Sequence, residues 1–508
     1  MIILSLLERH PAALRRAILT APQKAGAVEV RLDSLRRASF QVLQALFEGA
    51  PRPLIATCRR ASDGGLFEGS ERERVDLLWA AVRAGASYVD VEHGSQASSS
   101  LLGLGRDHPG IGIILSHHDR NRMPKDLFRL YRRMAALPGV KVVKIVGMAR
   151  SLADNLLARD LLERARTHPV PLASFCMGGA GVASRIMAVE WGSWATYACM
   201  AEGQESAKGQ VTLADLVGVY RIDEIDDETR LAGIIGTPLG HSLSPVVHNA
   251  AYHADGLNFR YLPLEVNRPS GLREIQAFAR AMRLRGMSVT APYKMAVMRQ
   301  LDRVEPLARR VGAVNTLVFE GRRLVGFNTD ATGGMAALSE ALHRLHLEPA
   351  GLTAAIVGSG GAARALAHGL AAAGAKVLVA SRSERPGRAL ARSVGGRYLP
   401  PSRLSSHSYE VLVNATPIGM APRNGRGAPR LPVPAAAVKG RLVYEVIYQP
   451  EATSLITLAR KRGIAVLGGL EMLLRQAAEQ YELFTGRTAP LSAMREAARQ
   501  ALGARAGG

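Results

Sequence analysis

Apolar, β-rich runs alternate with helix-prone stretches throughout the first half of the chain. The runs are Ile2–Leu6, Ala27–Leu32, Pro53–Cys58, Tyr88–His93, Ile111–Ser116, Val142–Gly147, Pro171–Cys176 and Ala195–Met200, with stretches such as Arg72–Arg83 between them. Eight strand-helix units predict an α/β fold that opens with a (β/α)8 TIM barrel over residues 1–221, where chemistry would gather at the C-terminal strand ends. The acidic stretch Arg221–Arg230 (RIDEIDDETR) interrupts the pattern and reads as a linker over 222–230. From Leu231 the alternation resumes as a two-domain unit. A Gly-rich strand-to-helix turn at Ile356–Leu366 marks a doubly wound nucleotide fold, so 333–469 is expected to be a Rossmann domain. Residues 231–332, with 470–500 returning to them, are expected to form the substrate-binding domain.

A chain of 508 residues suits about three domains at roughly 150 residues each. Its 47% hydrophobic and 21% charged residues, with mean hydropathy +0.04, exclude a disordered or collagen-like chain. No apolar run approaches the ~20 residues a bilayer span needs. The N-terminal MIILSLLERHPAALRR has no basic start, no small-residue cleavage site and no transit-peptide character, so a cytoplasmic location is expected. The three cysteines, Cys58, Cys176 and Cys199, are scattered without CxxC spacing, so neither zinc nor a disulfide framework is expected. The net charge of +22 admits nucleic acid, a membrane surface or anionic small molecules. Only nine of the 65 basic residues are lysines, and the 56 arginines are spread evenly beside many Ala and Gly, the mark of compositional drift. With no nucleic-acid module and no aromatic-basic interleaving, the expected partners are small molecules, not nucleic acid or membrane, and the expected state is a monomer or homodimer.

Polar residues occupy the places where a barrel builds its site. Glu29 and Arg31 share one strand face in AVEVRLD, as do Asp90 and Glu92 in YVDVEH. Arg59 follows the third run, His118 lies just past the fifth, and Lys144 has apolar neighbours on both sides in VVKIVG. Unpaired charges facing the outer helices would cost several kcal/mol each, so these groups are expected to converge inside. A lysine there loses hydration, which favours its neutral amine and makes it a candidate Schiff-base former. His118 would move protons near neutral pH, while Arg59, Arg185, Ser206 and Gln210 could bind a carboxylate and hydroxyls.

VEVRLD, TCRRASDGG, DVE, SHHD, VVKIV, GVASR and SAKGQ, in this order, resemble type I 3-dehydroquinate dehydratase over nearly all of residues 1–220. The resemblance implies that Lys144 forms an imine with the substrate ketone and that His118 is the base and then the acid that expels water. It also implies that Glu29, Arg31, Arg59, Arg185, Ser206 and Gln210 hold the substrate. One departure is Asp63, where the family usually has a Glu that orients the histidine. One methylene less would weaken that contact or require a water between.

In IVGSGGAARAL, Gly358, Gly360, Gly361 and Ala362 lead from an apolar strand into an Ala-rich helix, so the backbone can approach a pyrophosphate at the helix N-terminus. The next strand ends in Ser381, Arg382 and Ser383. An acid there would suit the ribose of NAD, whereas Arg and hydroxyls suit the 2′-phosphate of NADP, so NADP(H) is the expected cofactor, with no metal. Outside this unit, GTPLGHSLSPVVHN (236–249), SVTAPYK (288–294), AVNTL (313–317) and GFNTDATGG (326–334) are polar clusters in apolar settings. Lys294 and Asp330 are the pair suited to proton transfer, with Ser242, Ser244, Thr290 and Asn315 nearby.

Together with NATPIGM (414–420), VIYQPEATSL (446–455) and GGLEMLLRQ (468–476), these strings resemble shikimate dehydrogenase over residues 231–500. The resemblance implies that Ser242, Ser244, Thr290, Asn315 and Gln476 bind shikimate, and that Lys294 with Asp330 relays the proton during hydride transfer. Here Ser288 stands where a substrate-binding Asn is usual, a shorter donor with a looser grip. The two resemblances are consecutive steps, so the expected function is a fused enzyme. It dehydrates 3-dehydroquinate to 3-dehydroshikimate and reduces that to shikimate with NADPH. A catabolic, NAD-dependent quinate/shikimate dehydrogenase fusion is the rival enzyme. A non-catalytic quinate-sensing regulator is the rival of another class, and it would have lost Lys144, His118, Lys294 and Asp330.

Overall fold

A computed structural model describes residues 1–508 except 37, 104–107, 109, 241, 421–429 and 507–508, and leaves the side chains at 269, 270, 505 and 506 undescribed. His241 of the 236–249 cluster lies outside the described residues. By contacts the chain divides into two compact units, Met1–Thr229 with Pro238–Gly240 and Leu262–Met282, and Arg230–Thr237 with His241–Tyr261 and Arg283–Gly508.

The first unit contains all eight expected strands: β1 (Ile2–Leu6), β2 (Ala27–Arg31), β3 (Leu54–Thr57), β4 (Tyr88–Glu92), β5 (Gly112–Asp119), β6 (Val140–Met148), β7 (Leu172–Met177) and β8 (Thr196–Cys199). They form parallel ladders in the order β7-β6-β5-β4-β3-β2-β1-β8, with the two-residue β9 (Val211–Thr212) beside β8. At the join between β7 and β8 the sheet has no ladder, and instead Trp194 N donates to Leu172 O at 2.8 Å and Ser174 N to Ser193 Oγ at 3.1 Å. Two strands run longer than their apolar cores suggested. The β5–β6 ladder continues to Asp119 beside Gly147, so His118 lies within β5 rather than past it.

Strand alternation sorts this unit's interior into layers. Ile3, Ala27, Ile55, Ile114 and Val142 belong to one buried apolar cluster, with Tyr88 packed against it. Two positions further along each of these strands stand Ser5, Glu29, Thr57, Ser116, Lys144 and Asp90, all buried. The apolar floor excludes water from below and the polar layer sits at the C-terminal half of the strands, where βα loops can cover a substrate.

Two further sheets follow in the chain. One joins β10 (Arg230–Gly236), β11 (Phe259–Glu265), β12 (Leu284–Val289), β13 (Arg303–Val304), β14 (Thr316–Glu320) and β15 (Arg323–Phe327) in the order β11-β10-β12-β14-β15-β13. The C-terminal helices Gly469–Thr485 and Leu491–Ala506 return to it: the first packs on β12, the second on the helix Ser244–Ala254. The other sheet joins β16 (Thr353–Val357), β17 (Lys376–Ala380), β18 (Arg397–Leu399), β19 (Val411–Asn414), β20 (Leu442–Glu445) and β21 (Ala465–Leu467) in the order β18-β17-β16-β19-β20-β21, every ladder parallel. Ala354 and Ile356 of β16 feed one apolar cluster while Ala355 and Val357 feed another, so both faces are buried. The order reverses at β16, which places the ligand crevice of this Rossmann sheet between the ends of β16 and β19.

Candidate active sites

In the barrel the expected charges do converge. Lys144 Nζ lies 3.1 Å from Asp90 Oδ2 and 3.7 Å from Glu29 Oε1, and 3.8 Å above the centre of the Tyr197 ring. Arg59 donates to Asp90 Oδ1 at 2.8 Å, to Glu92 Oε1 at 3.0 Å and to Ser116 Oγ at 3.0 Å. Glu29 accepts from Thr57 at 2.9 Å and from Ser5 at 2.5 Å, and Ser5 also reaches Ser206 at 3.1 Å. Gln210 Oε1 accepts from the Ser206 amide at 2.7 Å and its hydroxyl at 3.1 Å, which holds the loop after β8 over the site. Arg31 is locked bidentately to Asp33 at 2.9 and 2.7 Å.

Among the described residues, two ionisable groups of the site have buried polar atoms without partners, as does the Tyr197 hydroxyl. Arg185, in the helix Val182–Met187, is only 2% exposed, and its Nε and Nη2 make no hydrogen bond. Its guanidinium lies 4.6 Å from the centre of the Phe175 ring, and burial lowers its pKa to about 10. A buried cation with free donors fits an incoming carboxylate. The other group is His118, whose Nδ1 is buried and unpaired. Burial, then Arg59 and Lys144, lower its pKa well below the ordinary 6.5, with Asp90 opposing, so the ring is a neutral base. Burial alone would raise the Asp90 carboxyl, yet Arg59 and then Lys144 hold it well below the usual carboxylate range.

In the second unit Lys294 Nζ meets Asp330 Oδ2 at 2.5 Å. Backbone bonds fix both residues beside Asn315: Val314 N donates to Lys294 O at 2.7 Å, and Thr329 N to Asn315 Oδ1 at 2.7 Å. Asn315 Nδ2 reaches Gln476 Oε1 at 3.3 Å from a helix 161 residues away in sequence. That helix lies close against the helix Thr329–His343, because Gly333 has no side chain: a Cβ there would meet Gln476 N at 2.6 Å. Thr290 N donates to Ile235 O at 2.9 Å, joining the ends of β12 and β10. Ser242 and Ser244 start the helix that follows β10, the Ser244 amide donating to Ser242 Oγ at 3.3 Å. Among the described residues, no hydrogen bond links these two serines or Thr290 to Lys294 or Asp330.

The glycine turn follows β16. Gly358 has φ +120°, and a Cβ on it would meet Ala415 O at 2.9 Å, so a side chain would close the crevice between β16 and β19. Gly361 opens the helix Gly361–Ala372, and a Cβ there would meet Lys294 Cδ at 2.9 Å. Gly360, with Ala362 one turn position later, leaves open space at the helix N-terminus for an anion. Past β17, Ser381 is buried and bonded to Ser359 at 3.1 Å, while Arg382 and Ser383 are exposed. This cradle fits a dinucleotide with an extra phosphate. No group of three or more His, Cys, Asp or Glu that could hold a metal ion is present among the described residues.

These sites can be set against known proteins. Family models match as type I 3-dehydroquinase over residues 2–227, shikimate dehydrogenase substrate binding domain over 234–317 and shikimate 5′-dehydrogenase C-terminal domain over 469–499. A model described as NADP oxidoreductase, coenzyme F420-dependent, matches 353–424. The chloroplastic bifunctional 3-dehydroquinate dehydratase/shikimate dehydrogenase of Arabidopsis thaliana is 34% identical over 483 residues, 91% of this chain and 78% of its own length. The chain belongs to the bifunctional 3-dehydroquinate dehydratase/shikimate dehydrogenase family. Its dehydrogenase half is 40% identical over 297 residues to the shikimate dehydrogenase (NADP(+)) of Moorella thermoacetica, covering 98% of that protein and 56% of this chain. A shikimate dehydrogenase crystallised with NADP+ superposes with TM-score 0.51 at 31% identity, covering 55% of this chain and 97% of the other.

Both departures from the family pattern have structural outcomes. In the dehydratase half, Asp63 turns to Arg60, which donates to it at 2.7 Å, and leaves His118 Nδ1 unpaired. In the dehydrogenase half, Ser288 is committed inward: it accepts from Tyr261 at 2.5 Å and donates to Gln480 Oε1 at 2.6 Å. Ser5, Thr57, Ser116, Tyr197 and Arg74 belong to the barrel network but were not singled out from sequence. The first three carried a signal, a small polar residue two places after an apolar one in a strand. Tyr197 carried none, since an aromatic in a strand reads as core.

Proposed function

We propose that this chain carries out two consecutive steps: it dehydrates 3-dehydroquinate to 3-dehydroshikimate in the barrel and reduces that product to shikimate with NADPH in the second unit. The observation that carries the first step is Lys144, buried on an interior strand face among Asp90, Glu29 and the Tyr197 ring. Its amine attacks the substrate ketone, and water leaves to give an imine. Neutral His118 takes a proton from the carbon next to the imine, then returns it to the departing hydroxyl, which leaves as water. Hydrolysis of the imine frees Lys144. Arg185 offers its unpartnered guanidinium to the substrate carboxylate, while Glu29, Arg31, Arg59, Ser206 and Gln210 hold the hydroxyls.

In the dehydrogenase half, NADPH supplies the hydride when bound. Gly358, Gly360, Gly361 and Ala362 would admit its pyrophosphate, and Ser381, Arg382 and Ser383 would hold its 2′-phosphate. Lys294, held by Asp330, gives a proton to the carbonyl oxygen as that oxygen gains charge. Asn315 and Gln476, with Ser242, Ser244 and Thr290, hold the ring hydroxyls. No helix among the described residues is long and apolar enough to cross a membrane, and we place the enzyme in the cytoplasm as a monomer or homodimer.

Supplying 3-dehydroquinate and NADPH to the purified chain should yield shikimate. Borohydride added with 3-dehydroquinate should leave a reduced adduct on Lys144, read by mass spectrometry of the tryptic peptide. An unmodified Lys144 peptide would sink the imine step.

A further inference from the structure

The dehydratase site is braced from outside the strand layer by an arginine. Ser70 caps the helix Glu71–Arg83 and closes a capping box with Glu73, which sets Arg74 one turn into the helix. Arg74 is 0% exposed and makes four donor contacts. Its Nε and Nη2 hold Glu71 as a fork at 2.9 and 3.0 Å. Its Nη1 donates to Glu92 Oε2 at 2.6 Å and to the backbone carbonyl of Cys58 at 3.1 Å.

Those last two contacts converge on Arg59. Cys58 O belongs to the residue immediately before it, and Glu92 Oε1 accepts from Arg59 Nη1 at 3.0 Å. One guanidinium thus grips both the main chain that carries Arg59 and the carboxylate that orients its side chain. Arg59 in turn holds Asp90, which holds Lys144. The loop after Arg59 is packed equally close, since a Cβ on Gly65 would meet Arg59 O at 2.0 Å. Without Arg74, Glu92 would have Arg59 as its one guanidinium partner and would draw it away from Asp90.

We propose that Arg74 is a positioning residue of the dehydratase: through Cys58 O and Glu92 it fixes Arg59 over Asp90, and thereby sets the geometry of the carboxylates around Lys144. The proposal rests on the reading of Lys144 as the imine-forming lysine.

Charge and geometry make separable contributions. Arg74→Met removes both, so the KM for 3-dehydroquinate should rise about tenfold or more, as expected when a substrate-holding group is displaced by a fraction of an ångström. Loss of one positive charge also favours the protonated form of His118. The charged groups facing His118 are Arg59, Lys144, Asp90 and His117, and those facing Lys144 are Asp90 and Glu29. The acid limb of kcat/KM should therefore move to higher pH. Arg74→Lys restores the charge but not the fork, and should return the limb toward its original position while KM stays raised.

Reduction of 3-dehydroshikimate by the same variant chains reports on folding independently, and the borohydride adduct counts competent dehydratase sites. If Arg74→Met lowers only the adduct yield or the melting temperature, with KM and the acid limb per competent site unchanged, Arg74 is merely structural and the proposal fails. Should that variant not fold, Glu71→Gln loosens the fork while keeping Arg74 charged; it must raise KM and, because it removes a negative charge, must not move the limb to higher pH as Arg74→Met does. Absence of any adduct on wild-type Lys144 overturns the underlying dehydratase reading instead, a result distinct from either outcome for Arg74.

Discussion

His118 is half-buried, with its Nδ1 buried and unpaired and Arg59 and Lys144 nearby, all of which disfavour its imidazolium. A depressed pKa keeps the base form present as pH falls through 6.5, so the acid limb of dehydratase kcat/KM should lie below the ordinary histidine value. A pH profile with 3-dehydroquinate checks this, and a limb at or above 6.5 would contradict the packing around the ring. Arg382 presents the opposite case, an exposed charge whose partner is the ligand. Arg382→Ala should raise the KM for NADPH roughly tenfold, the loss of one charge-assisted contact, and leave NADH unchanged. An equal effect on both cofactors would place the 2′-phosphate elsewhere. At this scale the sequence conveys chemistry better than orientation. Lys144 and Lys294 stand out because lysines are scarce, whereas nothing in TCRRASDGG told that Asp63 would choose Arg60 over the histidine.

Elements were legible where local periodicity decides them. Strands β1 to β6 each carry a floor residue followed two places later by a polar one, and that spacing survives in the linear string. The glycine turn was equally readable, because only missing side chains allow the backbone at Gly358 to lie beside Ala415. Contacts created by sheet order were not. β19 and β20 are neighbours only once the sheet is wound, and that pairing puts Asn414 Nδ2 2.9 Å from Glu445 Oε1. Thr453 and the Ile447 amide also donate to Glu445, at 3.0 and 3.1 Å, tying three loop starts to one carboxyl. Burial, opposed by the bonds from Asn414, Ile447 and Thr453, pushes Glu445 up to about 7 from an ordinary 4.5. The folded unit therefore holds this proton more tightly than the unfolded chain. The stability it contributes is full below 4.5 and lost as pH rises through about 7. Glu445→Gln keeps the neutral shape, and Thr453 can turn its hydroxyl to accept. Its melting temperature should match wild type near pH 5 and exceed it increasingly toward pH 8. A difference independent of pH would mean that Glu445 is not held protonated.

For the whole molecule, the residues assigned to dehydration fall between Ser5 and Gln210 and those assigned to reduction between Ser242 and Gln476, with none in common. Each set is also closed on itself: Lys144 answers to Asp90 and Glu29, and Lys294 to Asp330. The net charge of +22 adds no third function at this scale, since Arg185 and Arg382 are the arginines given anionic ligands. Lys294→Ala removes the proton donor of reduction alone. General acid catalysis contributes about 10²- to 10⁴-fold, so NADPH oxidation with 3-dehydroshikimate should fall by that order. Dehydration of 3-dehydroquinate by the same variant should proceed at the wild-type rate and stop at 3-dehydroshikimate. Lys144→Ala should do the reverse, forming no borohydride adduct while reducing added 3-dehydroshikimate normally. Parallel loss of both activities in either variant would mean that the two reactions share a group, and the picture of two self-contained sites in one chain would be wrong.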